Sequence, residues 1–319
     1  MDQRSCPACG RPALVYWREA TASDPQLAGR ARFALERCAV CGSAATVGDA
    51  ADHGAMYEGG TYAPAAGLAR RLLAPLRGLA ERDRMRFIRG LAPGSRVLEV
   101  GAGDGKLVAL MRASGLDARG IDPSPAACAT ARANGVEVTC VGVDEAELQP
   151  GAEDAVVLWH ALEHFERPAE ALERIHGWLR PGGTLLVAVP NLASVQAWIG
   201  GDRWFHQDVP RHRSHLTPAG ASALLERTGF APVSVRHLLV EQNPLGMWQT
   251  LLNHLTRERD FAFRLLKRDL GLGGTRGRGR DLAVTTIAGP LLAPVAVAAE
   301  VAAGLARRGG SIVVEARAG

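Results

Sequence analysis

From Ser95 onward, short apolar runs alternate with stretches in which apolar residues recur at helical spacing. RVLEV (96–100), ARGID (118–122), VEVTCVGV (136–143), DAVVLWH (154–160), PGGTLLVAVP (181–190) and APVSVRHLLV (231–240) read as six strands. KLVALMRAS, SPAACATARANG, ALERIHGWL and TPAGASALLERTG read as the helices between them. SIVVEARA (311–318) reads as a last strand, antiparallel to the sixth. That rhythm predicts an α/β fold: a doubly wound, mostly parallel seven-stranded sheet with helices on both faces. Ligands of such sheets sit at the carboxyl ends of the strands.

The flanks follow other patterns. Pro64 to Gly90 shows helical apolar spacing, and its ERDRMR segment reads as a solvated helical face. After the sixth strand, QNPLGMWQTLLNHLTRERDFAFRLLKRDLG is amphipathic and helical, and a Gly/Arg-rich link, GLGGTRGRGR, follows it. Leu282 to Ala299 then carries no charge. Its length suits a membrane span, but Pro290, Pro294 and the strand that follows argue against a crossing. The expectation is a broken helix packed on the domain, with contact at a membrane surface as the alternative. Residues 244–308 as a whole read as an insertion before the last strand.

Cysteines change the picture at the N-terminus. Cys6-Pro-Ala-Cys9 and Cys38-Ala-Val-Cys41 are two CxxC pairs separated by 28 residues, each followed by a glycine. Four thiolates at that spacing suit a structural zinc ion, and ALVYWREA and RFALERC between them read as strands of a zinc ribbon. Cys128 and Cys140 read as small buried apolar residues. The chain divides into a zinc-ribbon module (1–50), a linker and helical region (51–92) and the α/β domain (93–319). At 319 residues and 47% hydrophobic content it can bury a large core, and a net charge of +4 permits an anionic partner without demanding one. MDQRSCPACG has no apolar signal region, so a cytoplasmic, reducing setting is expected.

The chemistry begins at VLEVGAGDGKL (97–107), where glycines stand at 101, 103 and 105. A phosphate-binding GxxxxGK[ST] loop is excluded, because residue 100 is Val and residue 107 is Leu. A dinucleotide GxGxxG is excluded, because Lys106 stands where its third glycine would. The loop is GxGxG after an acidic residue, Glu99, and Asp122 ends the second strand 21 residues after Gly101, placed to hold ribose hydroxyls.

With GIDPSP (120–125), LWHALEHFERPAEALERIHGWLRPGGTLLVAVPN (158–191) and RWFHQDVPRHRSHLTP (203–218), the chain resembles the class I S-adenosylmethionine-dependent methyltransferases. The resemblance is to a bacterial branch that carries an N-terminal zinc ribbon, and it covers essentially the whole chain. It implies S-adenosylmethionine as cofactor, with Glu99, Gly101 and Gly103 around the amino-acid moiety and Asp122 on the ribose. Pro123 would border the adenine, Asp144 would reach its amine or serve as a helix N-cap, and Trp159 would face the sulfonium or pack in the core.

Methyl transfer to a hydroxyl needs a base, and histidine suits it. His160 and His164 follow the fourth strand, while His206, His212 and His215 follow the fifth. His160, His164, His212 and His215 are the candidate bases, and Arg211 and Arg213 are candidate clamps for an anionic acceptor. The expected activity is methyl transfer to oxygen of a small molecule, sugar or glycan precursor. RNA methylation with the ribbon as docking module is the alternative, disfavoured by a 5% aromatic content. A catalytically silent S-adenosylmethionine-binding protein is a third reading. The expected location is the cytoplasm, peripheral to the inner membrane face if 282–299 touches lipid.

Overall fold

The computed structural model describes residues 4–23, 32–48, 74–240, 242–267 and 278–319. Most of the expected linker (from residue 49), the start of the helical region before Ala74 and most of the Gly/Arg-rich link lie outside them.

The main sheet is built from β4 (Arg96–Val100), β5 (Asp117–Asp122), β6 (Val138–Cys140), β7 (Glu153–Trp159), β8 (Leu179–Pro190), β10 (Phe230–Arg236) and β11 (Ser311–Ala318). Their order is β10-β11-β8-β7-β4-β5-β6. All pairs are parallel except those of β11, which runs antiparallel to both β8 and β10. The seven-stranded, mostly parallel sheet is as the sequence predicts. Consecutive residues of β4 and β7 alternate between two apolar layers. Leu98, Val156 and Leu158 face one, and Val97, Ala155 and Val157 the other. Both faces are covered, so these strands are continuous apolar runs.

Helices α2 (Lys106–Ala113), α3 (Pro125–Ala133), α4 (Pro168–Trp178) and α6 (Pro218–Arg227) complete the crossovers. The strand order reverses between β4 and β7, and doubly wound sheets bind their ligands at that switch point. Helix α1 (Ala74–Ile88) precedes β4. Its charged face is not simply solvated. Asp83 is buried and accepts a hydrogen bond from the Val240 amide at 2.7 Å, and Arg84 lies over the Trp159 ring.

The N-terminal module is not a separate body. Strands β1 (Leu14–Ala20) and β2 (Phe33–Cys38) form as expected. Ala44–Gly48, within the expected ribbon module but not read from sequence as a strand, is a third strand, β3. It pairs on one side with β2 and on the other with β9 (Ser214–His215), which comes from the α/β domain. The junction is tight. Thr217 donates its amide to Ser43 Oγ at 3.1 Å, and Arg227 donates to the Ala8 carbonyl at 2.8 Å. A Cβ on Gly220 would stand 1.9 Å from Ser43 Oγ.

The insertion before β11 holds α7 (Asn243–Leu255), α8 (Phe261–Lys267) and α9 (Arg278–Leu305); α5 (Val195–Gly200) packs on α7. The expectation of a break in this helix is corrected here, while its expected packing is seen along α7. Helix α9 is one unbroken element of 28 residues with Pro290 and Pro294 inside it. It meets the domain along one edge only, through Gly289, Ala296, Glu300, Ala303 and Gly304. The rest is uncovered: Ile287, Leu291 and Leu305 are 69%, 70% and 75% exposed. By length and composition it is long and apolar enough to cross a membrane. Its start is tied to the loop between α7 and α8, and its end to the domain. Asp281 accepts the Arg257 and Glu258 amides at 3.0 and 2.9 Å. Glu300 accepts from Gln196 Nε2 and the Gly310 amide at 2.9 and 3.0 Å.

Candidate active site

Two walls meet at the carboxyl ends of β4 and β7. The first is backbone. Gly101, Gly103 and Gly105 all have positive φ (75°, 55° and 74°). A Cβ on Gly101 would lie 2.7 Å from Ala161 Cβ, so side chains are excluded by space as well as by conformation. Asp122 closes the loop: Oδ2 accepts the Gly103 amide at 2.8 Å and Oδ1 the Ser124 amide at 2.9 Å. Sequence reasoning gave Asp122 a ligand role and missed this structural one. A carboxylate has lone pairs for both.

Glu99 is buried behind the loop, and its Oε2 has no hydrogen-bond partner among the described residues. Burial pushes its pKa up to about 8, against the pull of Arg84. The carboxyl's backbone hydrogen bond with Val108 leaves Oε2 unbonded; a buried carboxyl oxygen left so is costly, and a cationic ligand group would relieve it. Pro123 is exposed at the mouth of this wall. Asp144 is exposed on a turn after β6, near Arg174 of α4 and Arg167 just before that helix, and starts no helix, so the N-cap alternative does not hold. Trp159 packs in the core, its ring 5.9 Å from Phe87. Its Nε1 is buried without a partner among the described residues.

The second wall is made of side chains. His160 ends β7 with a φ of 54°, a left-handed conformation rare for a residue with a Cβ. Its Nδ1 lies 3.2 Å from Glu163 Oε1. Burial works against ionisation of Glu163, but the His160 hydrogen bond and the surrounding histidines hold its pKa well below the usual carboxylate range. An ionised Glu163 only accepts, so His160 Nδ1 donates and the imidazole lone pair sits on Nε2. That Nε2 is buried and without a partner among the described residues. His206 stacks on His160 at 6.1 Å, and burial pushes its pKa down to about 3, leaving it neutral.

The other histidines are committed. His212 donates Nδ1 to the His206 carbonyl at 2.8 Å, and burial pushes its pKa down to about 4. His164 donates Nδ1 to the Arg211 carbonyl at 3.1 Å. His215 lies on β9, 3.0 Å from Thr46 Oγ1. That hydroxyl gives its own proton to the His212 carbonyl at 2.6 Å, so His215 Nε2 must be a donor. His215 therefore ties the N-terminal module to the site. Arg211 is bidentate on Asp208 at 2.7–3.1 Å, and Arg213 faces Glu166 at 3.8 Å; both hold the loop and are not presented as clamps. Sequence reasoning missed Glu163, although its i+3 spacing from His160 was visible. It also missed Asp208, three residues before Arg211 and four before His212, and Thr46, which no local pattern marks.

At the N-terminus the four sulfurs converge. Cys6 and Cys41 Sγ lie 3.6 Å apart, as do Cys9 and Cys38 Sγ. All four fall within 4.8 Å of one another. A zinc tetrahedron with bonds of ~2.3 Å has edges of about 3.8 Å, so the thiol set fits that ion.

Known proteins resemble the α/β domain. A family profile described as a methyltransferase domain matches residues 69–235. The ubiquinone biosynthesis O-methyltransferase of Xanthomonas campestris pv. campestris is 36% identical over 163 residues, 47% of this chain and 68% of that protein. The protein of the same name from Pseudomonas aeruginosa is 36% identical over 179 residues, 51% of this chain and 75% of that one. The crystal structure of a SAM dependent methyltransferase from Archaeoglobus fulgidus aligns with a TM-score of 0.49 at 18% identity, over 76% of this chain and 94% of that one. With the glycine loop, Asp122 and the strand order already in place, the profile match over more than half the residues makes this chain a member of the class I S-adenosylmethionine-dependent methyltransferases.

Proposed function

We propose that the chain methylates a hydroxyl oxygen of a small, lipid-borne acceptor, in the cytoplasm and at a membrane surface. The observation that carries the reaction is the His160–Glu163 pair at the carboxyl end of β7, next to the glycine loop, where Gly101 abuts Ala161. When bound, S-adenosylmethionine supplies a methyl group activated by its sulfonium. Gly101 and Gly103 leave room for its amino-acid moiety, Glu99 takes the ammonium, and Asp122, Pro123 and Asp144 hold the nucleoside. His160 Nε2 takes the acceptor's hydroxyl proton as the oxygen forms its new bond to carbon. Glu163 keeps the ring in the productive tautomer and balances the imidazolium charge. Neutral His206 beside it adds no opposing charge.

Two observations support the acceptor class. Two relatives 36% identical to this chain are named as O-methyltransferases of ubiquinone biosynthesis. Helix α9 also presents Ile287, Leu291, Val295, Val301 and Leu305 to solvent along one side. Arginines stand at both ends, Arg278 and Arg280 in its first turn and Arg307 and Arg308 just after it. An apolar stripe with basic ends suits the surface of an anionic bilayer, and the anchored ends keep the helix in the plane of that surface.

The four-cysteine cluster holds a structural zinc ion that fixes β1–β3 against β9, and through His215 and Thr46 it steadies the histidine wall. The test is transfer of labelled methyl from S-adenosylmethionine into a fractionated cell extract. Label in the lipid-extractable fraction is expected. Label in RNase-sensitive material would replace this reading with RNA methylation, and cofactor binding without transfer to any fraction would leave a binding protein.

A further inference from the structure

We propose a second metal site, formed by Glu163, His164 and His212, that binds a first-row transition divalent ion such as zinc or manganese. A carboxylate oxygen of Glu163 and a ring nitrogen of each histidine lie within 4.8 Å of one another. Ligands of such an ion, at bonds of ~2.1 Å, stand roughly 3–4 Å apart, so side-chain rotations suffice to close the set.

The orientation of the ligands is what a metal site requires. His164 Nδ1 donates to the Arg211 carbonyl and His212 Nδ1 to the His206 carbonyl. Each ring is thereby fixed in the tautomer whose lone pair is on Nε2, which is how metal-binding imidazoles are commonly held. His212 Nε2 points inward, 4.0 Å from Glu163 Oε1 and 3.8 Å from Asp208 Oδ2. Glu163 gives Oε1 to His160, while Oε2 is buried without a hydrogen-bond partner among the described residues, in a residue only 2% exposed. A buried carboxylate oxygen left unbonded is costly, and a cation is the group that would satisfy it.

The charges agree with a cation. Asp208 is neutralised by its bidentate Arg211, which leaves the negative charge of Glu163 for the ion. Two imidazoles and one carboxylate favour zinc, manganese or iron(II) over magnesium or calcium, which take all-oxygen sets. Three protein ligands leave positions open. His164 is only half-buried, so the site is reachable from the cleft. An ion there is a Lewis acid for an acceptor hydroxyl, beside the base that takes its proton. That role rests on the methyl-transfer reading; the binding of the ion does not.

The test counts ions. The full-length protein is stripped with a chelator, reloaded with zinc alone or manganese alone, dialysed and analysed for metal. Zinc-loaded wild type should hold about two ions per chain, one at the cysteines and one here. Both His212→Gln and His164→Gln should lose one, and Cys9→Ser should lose the other. Cobalt substitution separates the two centres, since only the cysteine site gives thiolate charge-transfer bands. Because His164 is partly exposed, His164→Gln remains informative if His212→Gln fails to fold, and circular dichroism shows which variants fold. Metal content unchanged in folded His164→Gln, with cobalt spectra from thiolate alone, overturns the site. Binding of S-adenosylmethionine to the same samples, followed by calorimetry, separates that outcome from failure of the methyltransferase reading.

Discussion

The two walls of the crevice are built on opposite plans. The cofactor wall is backbone, contributed by one contiguous stretch from Glu99 to Ser124 and closed by Asp122 on two amides. The histidine wall is side chain, drawn from residues 46, 160–164 and 206–215. The first serves a ligand common to a whole family. The second brings together groups that depend on a module more than a hundred residues away, and the proposed function assigns the acceptor chemistry to it. A change to the first wall should therefore act on cofactor binding, and a change to the second on turnover.

The largest effect on binding is expected at Gly101. Gly101→Val must place a side chain at a φ of 75° and against Ala161 Cβ. Strain of a few kcal/mol should weaken S-adenosylmethionine binding by on the order of 100-fold, read by calorimetry.

Glu99 sharpens the contrast, because its two effects have opposite signs. Its folded pKa, raised to about 8, lies above the unfolded one, so the residue destabilises the fold above the ordinary carboxylate range. Glu99→Gln should gain about 3 kcal/mol in urea unfolding at pH 7, and the gain should vanish at pH 4. The same variant should bind cofactor more weakly. Wild-type affinity should strengthen about tenfold from pH 6 to pH 7 as Glu99 ionises, and the variant should lose that slope.

A smaller effect, outside both walls, is expected on α9. Leu291→Asp should reduce sedimentation with anionic vesicles severalfold while leaving the melting temperature and cofactor affinity near wild type, since Leu291 is 70% exposed. Unchanged sedimentation would separate the exposed stripe from membrane contact.

What could be read from the sequence follows the same division. The strand–loop–helix rhythm, GxGxG and the CxxC pairs are local, and each fixes its geometry within a few residues. Five-residue β3 has no strong pattern of its own and becomes a strand because β2 and β9 lie on either side. His215 looked like a base because its partner, Thr46, is 169 residues away. The exposure of α9 was hidden for a related reason: an apolar sequence does not say whether another element covers it.

The central claim is that the histidine wall performs the chemistry on a cofactor held by the other wall. His160→Gln tests it most directly, with cofactor affinity by calorimetry and single-turnover transfer of labelled methyl to the extract fraction that wild type labels. The account predicts affinity within about twofold of wild type and a transfer rate lower by on the order of 100-fold or more. Transfer at the wild-type rate with affinity intact would contradict it and remove His160 from the reaction.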